Sequence, residues 1–372
     1  MNDPNPKGAI LRRPARLRRV RLLLAGILGS GASWAPADFT VDVGRGPINI
    51  HTPPAHDPNV PTPLVLLLHG YSSNGAEVEA YMRFLPLADE FGFLFAFPDG
   101  TRDILGNRFW NATDACCNFF ASPVDDSGYL FALIDEVKAQ VSVNSRRVHL
   151  IGHSNGGFMC YRMACDHADV IASVASLAGA TWLDPNACLP AAPVHVLQIH
   201  GTADLTILYN GGCLGAACYP AAIETVEQWA TFDGCALIAE SGDPLDLDAG
   251  IPGPETVVIR YTTDCDPAGS AELWSIVGGG HVPNLSADFS RLVVEYLFAH
   301  PKPGSDILGD LNCDGSFNGA DIDPFFLALG DPVEYTATFP GCDILLADMN
   351  GDGSVNGADI DVFFLCLGGG CP

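Results

Sequence analysis

Basic side chains are scarce in this 372-residue chain: 18 Lys and Arg stand against 44 Asp and Glu, a formal net charge of −26. That balance excludes nucleic acid and anionic membrane surfaces as partners, since both would repel it. After the first forty residues no apolar run approaches the ~20 residues that a membrane span needs. There is no C-x-x-C pair, which argues against a thiolate metal cluster although the chain has 13 cysteines. So many cysteines suit an oxidising compartment. The odd count leaves at least one unpaired or shared between chains, and Cys213/Cys218 and Cys366/Cys371 are close enough to form local bridges. With 48% hydrophobic residues, the chain is not a disordered one.

The basic residues that do occur crowd the N-terminus. Arg12, Arg13, Arg16, Arg18, Arg19 and Arg21 precede an apolar run at 22–28, then small residues and Ala35-Pro36-Ala37, the pattern of an export signal over residues 1–37. An uncleaved anchor is the alternative, but the run is about half a span. Arg18-Arg19 also permits a twin-arginine route. Cleavage would remove seven of the 18 basic side chains and one of the 44 acidic ones, leaving a secreted, still more acidic product without membrane attachment.

From residue 38 short β-rich runs alternate with helical ones, which predicts an α/β domain over 38–301 with a doubly wound, mostly parallel sheet. Residues 39–43 and 47–51 read as an opening hairpin. Residues 64–69 (LVLLLH) read as a central strand buried on both faces. A single helix is expected over 77–91, strands over 93–97, 170–177, 194–199, 256–261 and 272–277, and helices over 128–141, 222–232 and 289–298. Asp125-Asp126 read as an N-cap with acids favoured by the dipole of the helix after them. Periodicity is lost over 101–127, where Trp110 and Asn111 are candidates for the wall of a binding site, because such groups concentrate on loops over a rigid sheet.

The chain is organised around Gly152-His153-Ser154-Asn155-Gly156, with an apolar run before it and a helical pattern after it. G-x-S-x-G at a strand-to-helix turn is the nucleophile elbow, whose tightness demands small residues two positions either side of the serine. A nucleophile needs a base, an acid to orient the base, and donors for an oxyanion. Ser154, Asp204 and His281 follow predicted strands in the order serine, acid, histidine. Among the ten histidines His281 is the choice for base, because three glycines precede it on a loop able to reach Ser154. His153 is read as turned away from Ser154, His69 as part of the oxyanion loop, His200 as structural, and His149 and His195 as hydrogen-bonded core residues. Asp243, Asp246 and Asp248 lie in an acidic, Pro-containing loop that reads as solvated surface. The backbone N–H groups of Tyr71 and Asn155 are the expected oxyanion donors.

LLLHGYSSNG, FPDGT, FWNATDACC, VDDSGYLFALID, IGHSNGGFMCYRMAC, IHGTAD and GGGHVP occur in that order over 38–301. Together they resemble the polyhydroxybutyrate depolymerase and feruloyl esterase-like family of secreted α/β-hydrolases. The resemblance implies Ser154 as nucleophile, Asp204 as acid, His281 as base, no catalytic cofactor, and an acyl ester of a polysaccharide or a polyester as substrate. Val282 follows the histidine where many relatives place an aromatic residue. A serine peptidase on the same fold, and an inactive hydrolase kept for binding or scaffold docking, are the alternative readings.

Residues 302–308 read as a linker. Beyond it DLNCDGSFNGAD (310–321) and DMNGDGSVNGAD (348–359) repeat one twelve-residue loop 38 residues apart. Asp310, Asn312, Asp314, Asn318 and Asp321 fall at loop positions 1, 3, 5, 9 and 12, with the Ser316 carbonyl at 7; Asp348, Asn350, Asp352, Ser354, Asn356 and Asp359 repeat this. Oxygen-only ligands at that spacing select Ca²⁺. An amphipathic helix is expected after each loop and none before. Residues 309–368 resemble a dockerin, a small helical calcium-binding module, which leaves two uses open: docking to a cohesin-like scaffold, or a calcium-stiffened tail without such a partner.

Overall fold

The computed structural model describes residues 38–58, 60–267, 269–304, 307–313, 316–339 and 342–371. The expected export segment lies outside the described residues, as do Asp314 and Gly315 of the first loop. No helix among the described residues is long and apolar enough to cross a membrane.

Eight strands make the main sheet: β1 (Thr62–Leu68), β2 (Leu94–Ala96), β3 (Val143–His153), β4 (Ser173–Leu177), β5 (His195–Gly201), β6 (Glu240–Ser241), β7 (Thr256–Tyr261) and β8 (Ala271–Ile276). Their order is β6-β7-β8-β5-β4-β3-β1-β2, parallel from β8 to β2, with β7 antiparallel to both its neighbours. Between β1 and β2 the chain moves to one edge. It then returns to the far side of β1 to lay down β3, so the crevice between the ends of β1 and β3 is a topological switch point, where open α/β sheets place their ligands. The opening hairpin forms as expected, Phe39–Val41 against Ile48–Ile50.

Side-chain alternation on β1 explains its continuous apolar sequence. Leu64, Leu66 and Leu68 enter one core with α3 (Asp126–Gln140), α4 (Asn155–Asp166) and α5 (Ala222–Phe232). Val65 and Leu67 enter the other with α1 (Gly75–Met82), α2 (Leu85–Phe91) and α6 (Phe289–Ala299). A strand buried on both faces cannot carry a polar residue every second position.

The helix expected over 77–91 is two helices. Pro86 has no N–H, and its ring in a continuous helix would meet the carbonyl of Met82. The first helix therefore ends at Met82, with Arg83 left-handed at φ 57°. The Glu79 carboxylate then accepts the freed N–H groups of Phe84 and Leu85 at 3.1 and 2.9 Å. Asp125 caps α3 by accepting from Gly128 N–H. Asp126 follows in the first turn of α3, as expected of an acid at a helix N-terminus; it is also buried, paired with Arg45, and accepts the N–H of Asn111. Asp248 departs from its solvated reading, being buried beside the bridge it forms with Leu285.

The C-terminal region has its own core of Leu311, Phe325, Tyr335, Leu346, Met349 and Phe363. Helices α7 (Ile322–Gly330) and α9 (Asp359–Leu367) follow the two loops as expected, and Phe325 and Phe363, equivalent residues of the two repeats, stack with ring centroids 4.0 Å apart. Ahead of the second loop, where the pattern shows no helix, stand α8 (Pro332–Thr338) and a 3₁₀ turn at Ile344–Ala347. Cys213–Cys218 and Cys366–Cys371 are bridged, together with Cys116–Cys117, Cys165–Cys188, Cys235–Cys265 and Cys313–Cys342; Cys160 is the free, buried cysteine.

Candidate active site

Strand register places the site. Leu68 pairs with Gly152, His153 with Leu177, Leu177 with Ile199, and Gly201 with Ile276, so β1, β3, β4, β5 and β8 end level with one another. Tyr71, Ser154, Asp204 and His281 follow four of those ends on one edge of the sheet.

Ser154 is a non-glycine residue at φ 54°, ψ −119°, a sparsely populated conformation that the packing around it must hold. The packing is tight because the flanking residues are glycines. A Cβ on Gly152 would lie 2.2 Å from the Gly156 carbonyl carbon, and one on Gly156 would lie 2.1 Å from Leu68 O. Ser154 N–H donates to Leu177 O at 2.7 Å, so β4 anchors the turn and α4 begins at Asn155.

Ser154 Oγ lies 2.9 Å from His281 Nε2, and His281 Nδ1 lies 2.7 Å from Asp204 Oδ2. The other Asp204 oxygen accepts from Thr206 and Ile207 N–H at 2.8 and 2.9 Å. Burial works to raise the Asp204 pKa, but hydrogen bonds from His200 and His281 outweigh it and hold the carboxyl below its usual range. His200 has its Nδ1 against the Gln198 amide at 3.1 Å, so Nε2 bears the proton and donates to Ile207 O at 2.8 Å, with Asp204 Oδ2 3.3 Å away. His149 and His195 bond Ser173 and Ser270 hydroxyls at 2.8 and 2.7 Å, as read from the sequence.

The N–H groups of Tyr71 and Asn155 have no acceptor among the described residues, and Tyr71 and Ser154 line one cleft of about 320 Å³. The Asn155 side chain faces the other way and clasps the backbone of Trp110, accepting its N–H at 2.7 Å and donating to its carbonyl at 3.0 Å. Trp110 is therefore no wall of the cleft: it is 0% exposed, and its indole N–H donates to His69 O at 3.1 Å. His69 in turn donates from Nδ1 to Gly70 O and accepts Gly100 N–H at Nε2. Asn111 is also outside the cleft, spanning to Val124 O and Asp126. Of these two residues, expected to touch ligand, Trp110 braces the loop that carries Tyr71 and Asn111 ties its own loop to the start of α3.

The cleft is lined instead by Glu77, Val78 and Tyr81 of α1 and by His153 and Val282, none of which the sequence singled out for contact. His153 borders the cleft as well. Its Nε2–H donates to His281 O at 2.9 Å, and burial lowers its pKa to about 4, so the ring is neutral at pH 7. Its place inside the elbow was the available signal; Tyr81, on an ordinary helix, gave none.

In the C-terminal loops the two repeats share part of their bonding. Asp321 accepts from Leu311, Asn312 and Asn318 N–H, and Asp359 from Asn350 and Asn356 N–H. Ser316 and Ser354 carbonyls accept the Asn318 and Asn356 amides. Asp348 accepts from Asp352 and Gly353 N–H, and Gly353 has φ +82°. Among the described residues no three His, Cys, Asp or Glu side chains are grouped as a metal site.

The sequence profile of the family described as Esterase PHB depolymerase matches residues 49–222, a span that holds Ser154 and Asp204 and ends before His281. Feruloyl esterase B of Piromyces equi is 27% identical over 59% of this chain and 39% of its own length. Poly(3-hydroxybutyrate) depolymerase of Ralstonia pickettii is 27% identical over 34% of this chain and 28% of its own. The chain spans less than half the length of the curated relatives it matches. An acetyl xylan esterase from Aspergillus awamori superposes with a TM-score of 0.51 at 15% identity, covering 71% of this chain and 99% of that one, a likeness of fold.

Proposed function

We propose that the chain is an exported serine carboxylic ester hydrolase, acting on feruloyl or acetyl esters of polysaccharides or on polyester chains. The observation that carries this reading is the unbroken relay from Ser154 Oγ through both His281 nitrogens to Asp204, at 2.9 and 2.7 Å. As Ser154 Oγ attacks the ester carbon, its proton passes to His281 Nε2 while Asp204 keeps the proton on Nδ1. The carbonyl oxygen gains the negative charge, which the Tyr71 and Asn155 N–H groups and the N-terminus of α4 stabilise. Collapse breaks the bond to the leaving oxygen, which takes the proton back from Nε2; water then repeats the sequence on the acyl-serine and releases the acid.

The test is a panel of 4-nitrophenyl acetate, methyl ferulate, acetylated xylan and polyhydroxybutyrate. Wild type should hydrolyse at least one of them, and Ser154→Ala should lower turnover by ~10⁴ or more while remaining folded. A loss below tenfold would sink the assignment.

For the C-terminal region we infer a dockerin-like calcium module. Asp310, Asn312, Asp314, the Ser316 carbonyl, Asn318 and Asp321 would hold one ion; Asp348, Asn350, Asp352, the Ser354 carbonyl, Asn356 and Asp359 would hold another. Support comes from the donor chemistry, which is all oxygen, and from Asp310, Asp321 and Asp359 being fully buried, an acidic arrangement that a divalent cation neutralises. Phe326 and Phe364 lie exposed side by side at equivalent positions, an apolar pair suited to a cohesin-like scaffold. A calcium-dependent mobility shift with a cohesin in a native gel tests that use; unchanged mobility favours the stiffened-tail reading.

A further inference from the structure

His281 has to meet Ser154 and Asp204 from a loop with little backbone structure of its own. Gly278, Gly279 and Gly280 precede it, and a Cβ added at Gly280 would meet nothing within 4 Å. On one side of His281, Ala203 N–H donates to Gly279 O at 2.9 Å; on the other, Ala249 N–H donates to Asn284 O at 2.8 Å. Between those two points no backbone group bonds another among the described residues. A glycine-rich stretch left to itself has many conformations open to it, and an imidazole carried on it would share their spread.

Two side chains supply what the backbone lacks. His153 Nε2–H donates to His281 O at 2.9 Å, and the Tyr81 hydroxyl donates to Pro283 O at 2.8 Å. Both come from elements that place other parts of the site. His153 belongs to the elbow, one residue before Ser154, while Tyr81 lies on α1, whose N-cap Asn74 follows the loop that carries Tyr71. The rings form a run as well, with centroids 5.6 Å apart from Tyr81 to His153 and 5.1 Å apart from His153 to His281. Each donor keeps its proton at neutral pH: burial raises the pKa of the Tyr81 phenol, and a neutral His153 with a carbonyl at Nε2 bears its one proton there. The neutrality of His153 also matters to the reaction. His281 becomes a cation as it takes the serine proton, and a second cation 5.1 Å away would oppose that step.

We propose that His153 and Tyr81 are positioning residues: their two hydrogen bonds clamp the loop of the base, His153 to the turn of the nucleophile and Tyr81 to the helix after the loop of Tyr71. The proposal rests on the serine esterase reading above and adds to it the means by which His281 is held. His153→Leu removes the donor, His153→Gln keeps one on a side chain of similar size, and Tyr81→Phe removes the hydroxyl alone. Each is assayed on 4-nitrophenyl acetate, with kcat expressed per Ser154 titrated to completion by a fluorophosphonate. His153→Leu should lower kcat per titrated site about a hundredfold and Tyr81→Phe about tenfold, the scale expected when a catalytic group is misplaced by ~1 Å or less, with KM within about threefold of wild type. His153→Gln should recover most of the loss. A purely structural role would reduce the amount titrated and leave kcat per titrated site unchanged. That result, a loss confined to KM, or His153→Gln as slow as His153→Leu would overturn the clamp. If His153→Leu does not fold, Tyr81→Phe decides, and an unchanged kcat there overturns it. Wild type that neither hydrolyses any ester nor takes up label would overturn the esterase reading and the proposal with it.

Discussion

Asp204 is held ionised by four donors, two imidazoles and two backbone N–H groups, and this is what lets it keep His281 in the tautomer whose Nε2 is free to take a proton. Asp204→Asn should leave the fold intact but lower ester turnover by ~10⁴, because an amide can hold the imidazole in the wrong tautomer. Asp246→Asn, at an exposed position, should turn over like wild type, and steady-state kinetics on the two variants checks the choice of acid. A second residue-scale expectation concerns acid. Burial lowers the pKa of His153 to about 4 and those of His149 and His195 to about 3, against an ordinary 6.5. Between those values the unfolded chain binds more protons than the folded one, so the stability these rings contribute is whole above pH 6.5 and falls as pH drops toward 4. Each adds a slope of about 1.4 kcal/mol per pH unit, which urea melts from pH 7 to 4 would measure. A flat midpoint over that range would contradict their burial as neutral rings. That Ser154, Asp204 and His281 meet was legible in the sequence because their strand-end positions and chain order are themselves the signal. Trp110 was not, since an aromatic residue in an aperiodic loop reads alike whether it faces ligand or, as here, buries itself to brace a neighbouring loop.

The elbow depends on backbone contact between elements more than on any side chain of its own. Gly156 sits where α4 meets the end of β1, so Gly156→Ala must push the helix and the strand apart and carry Ser154 and Asn155 with them. A cost of about 3 kcal/mol is expected, together with loss of turnover. Gly280→Ala, where nothing lies within 4 Å of the added carbon, should melt close to wild type, and thermal melts of both separate close approach from a general intolerance of substitution. Strands and helices of residues 38–301 were legible because their apolar periods are long and bounded by turn residues. The division between α1 and α2 was available in Pro86 but was masked by the apolar pattern running through it. The place of Asp126 at the start of α3 was legible, but its partners were not, because Arg45 and Asn111 lie in other parts of the chain and local sequence holds no trace of them.

Across the whole molecule the two regions should respond differently to a chelator. Calcium binding to the folded form alone would stabilise the C-terminal module by mass action, whereas the proposed relay calls for no metal. Chelation should therefore expose residues 309–368 to protease and leave ethyl acetate hydrolysis within twofold. Because Cys313–Cys342 and Cys366–Cys371 also staple the module, the digestion belongs under both oxidising and reducing conditions. Equal digestion rates with and without calcium after reduction would remove the ion from the account. The repeat was legible because the loop is written twice. The α8 helix was not, because its seven residues pack through Tyr335 onto Leu311 of the first loop, a long-range contact without a local period.

The claim on which the rest depends is that Ser154 is the nucleophile of an ester hydrolase, and the measurement closest to it is active-site titration with a fluorophosphonate followed by peptide mapping. Attack by Ser154 Oγ on phosphorus expels fluoride, and the covalent product cannot be released by the same water step. The account predicts one equivalent of label, on Ser154 alone, with ester hydrolysis falling in proportion to label incorporated and no label taken up by Ser154→Ala. Label on another residue, or undiminished hydrolysis by fully labelled protein, would contradict it.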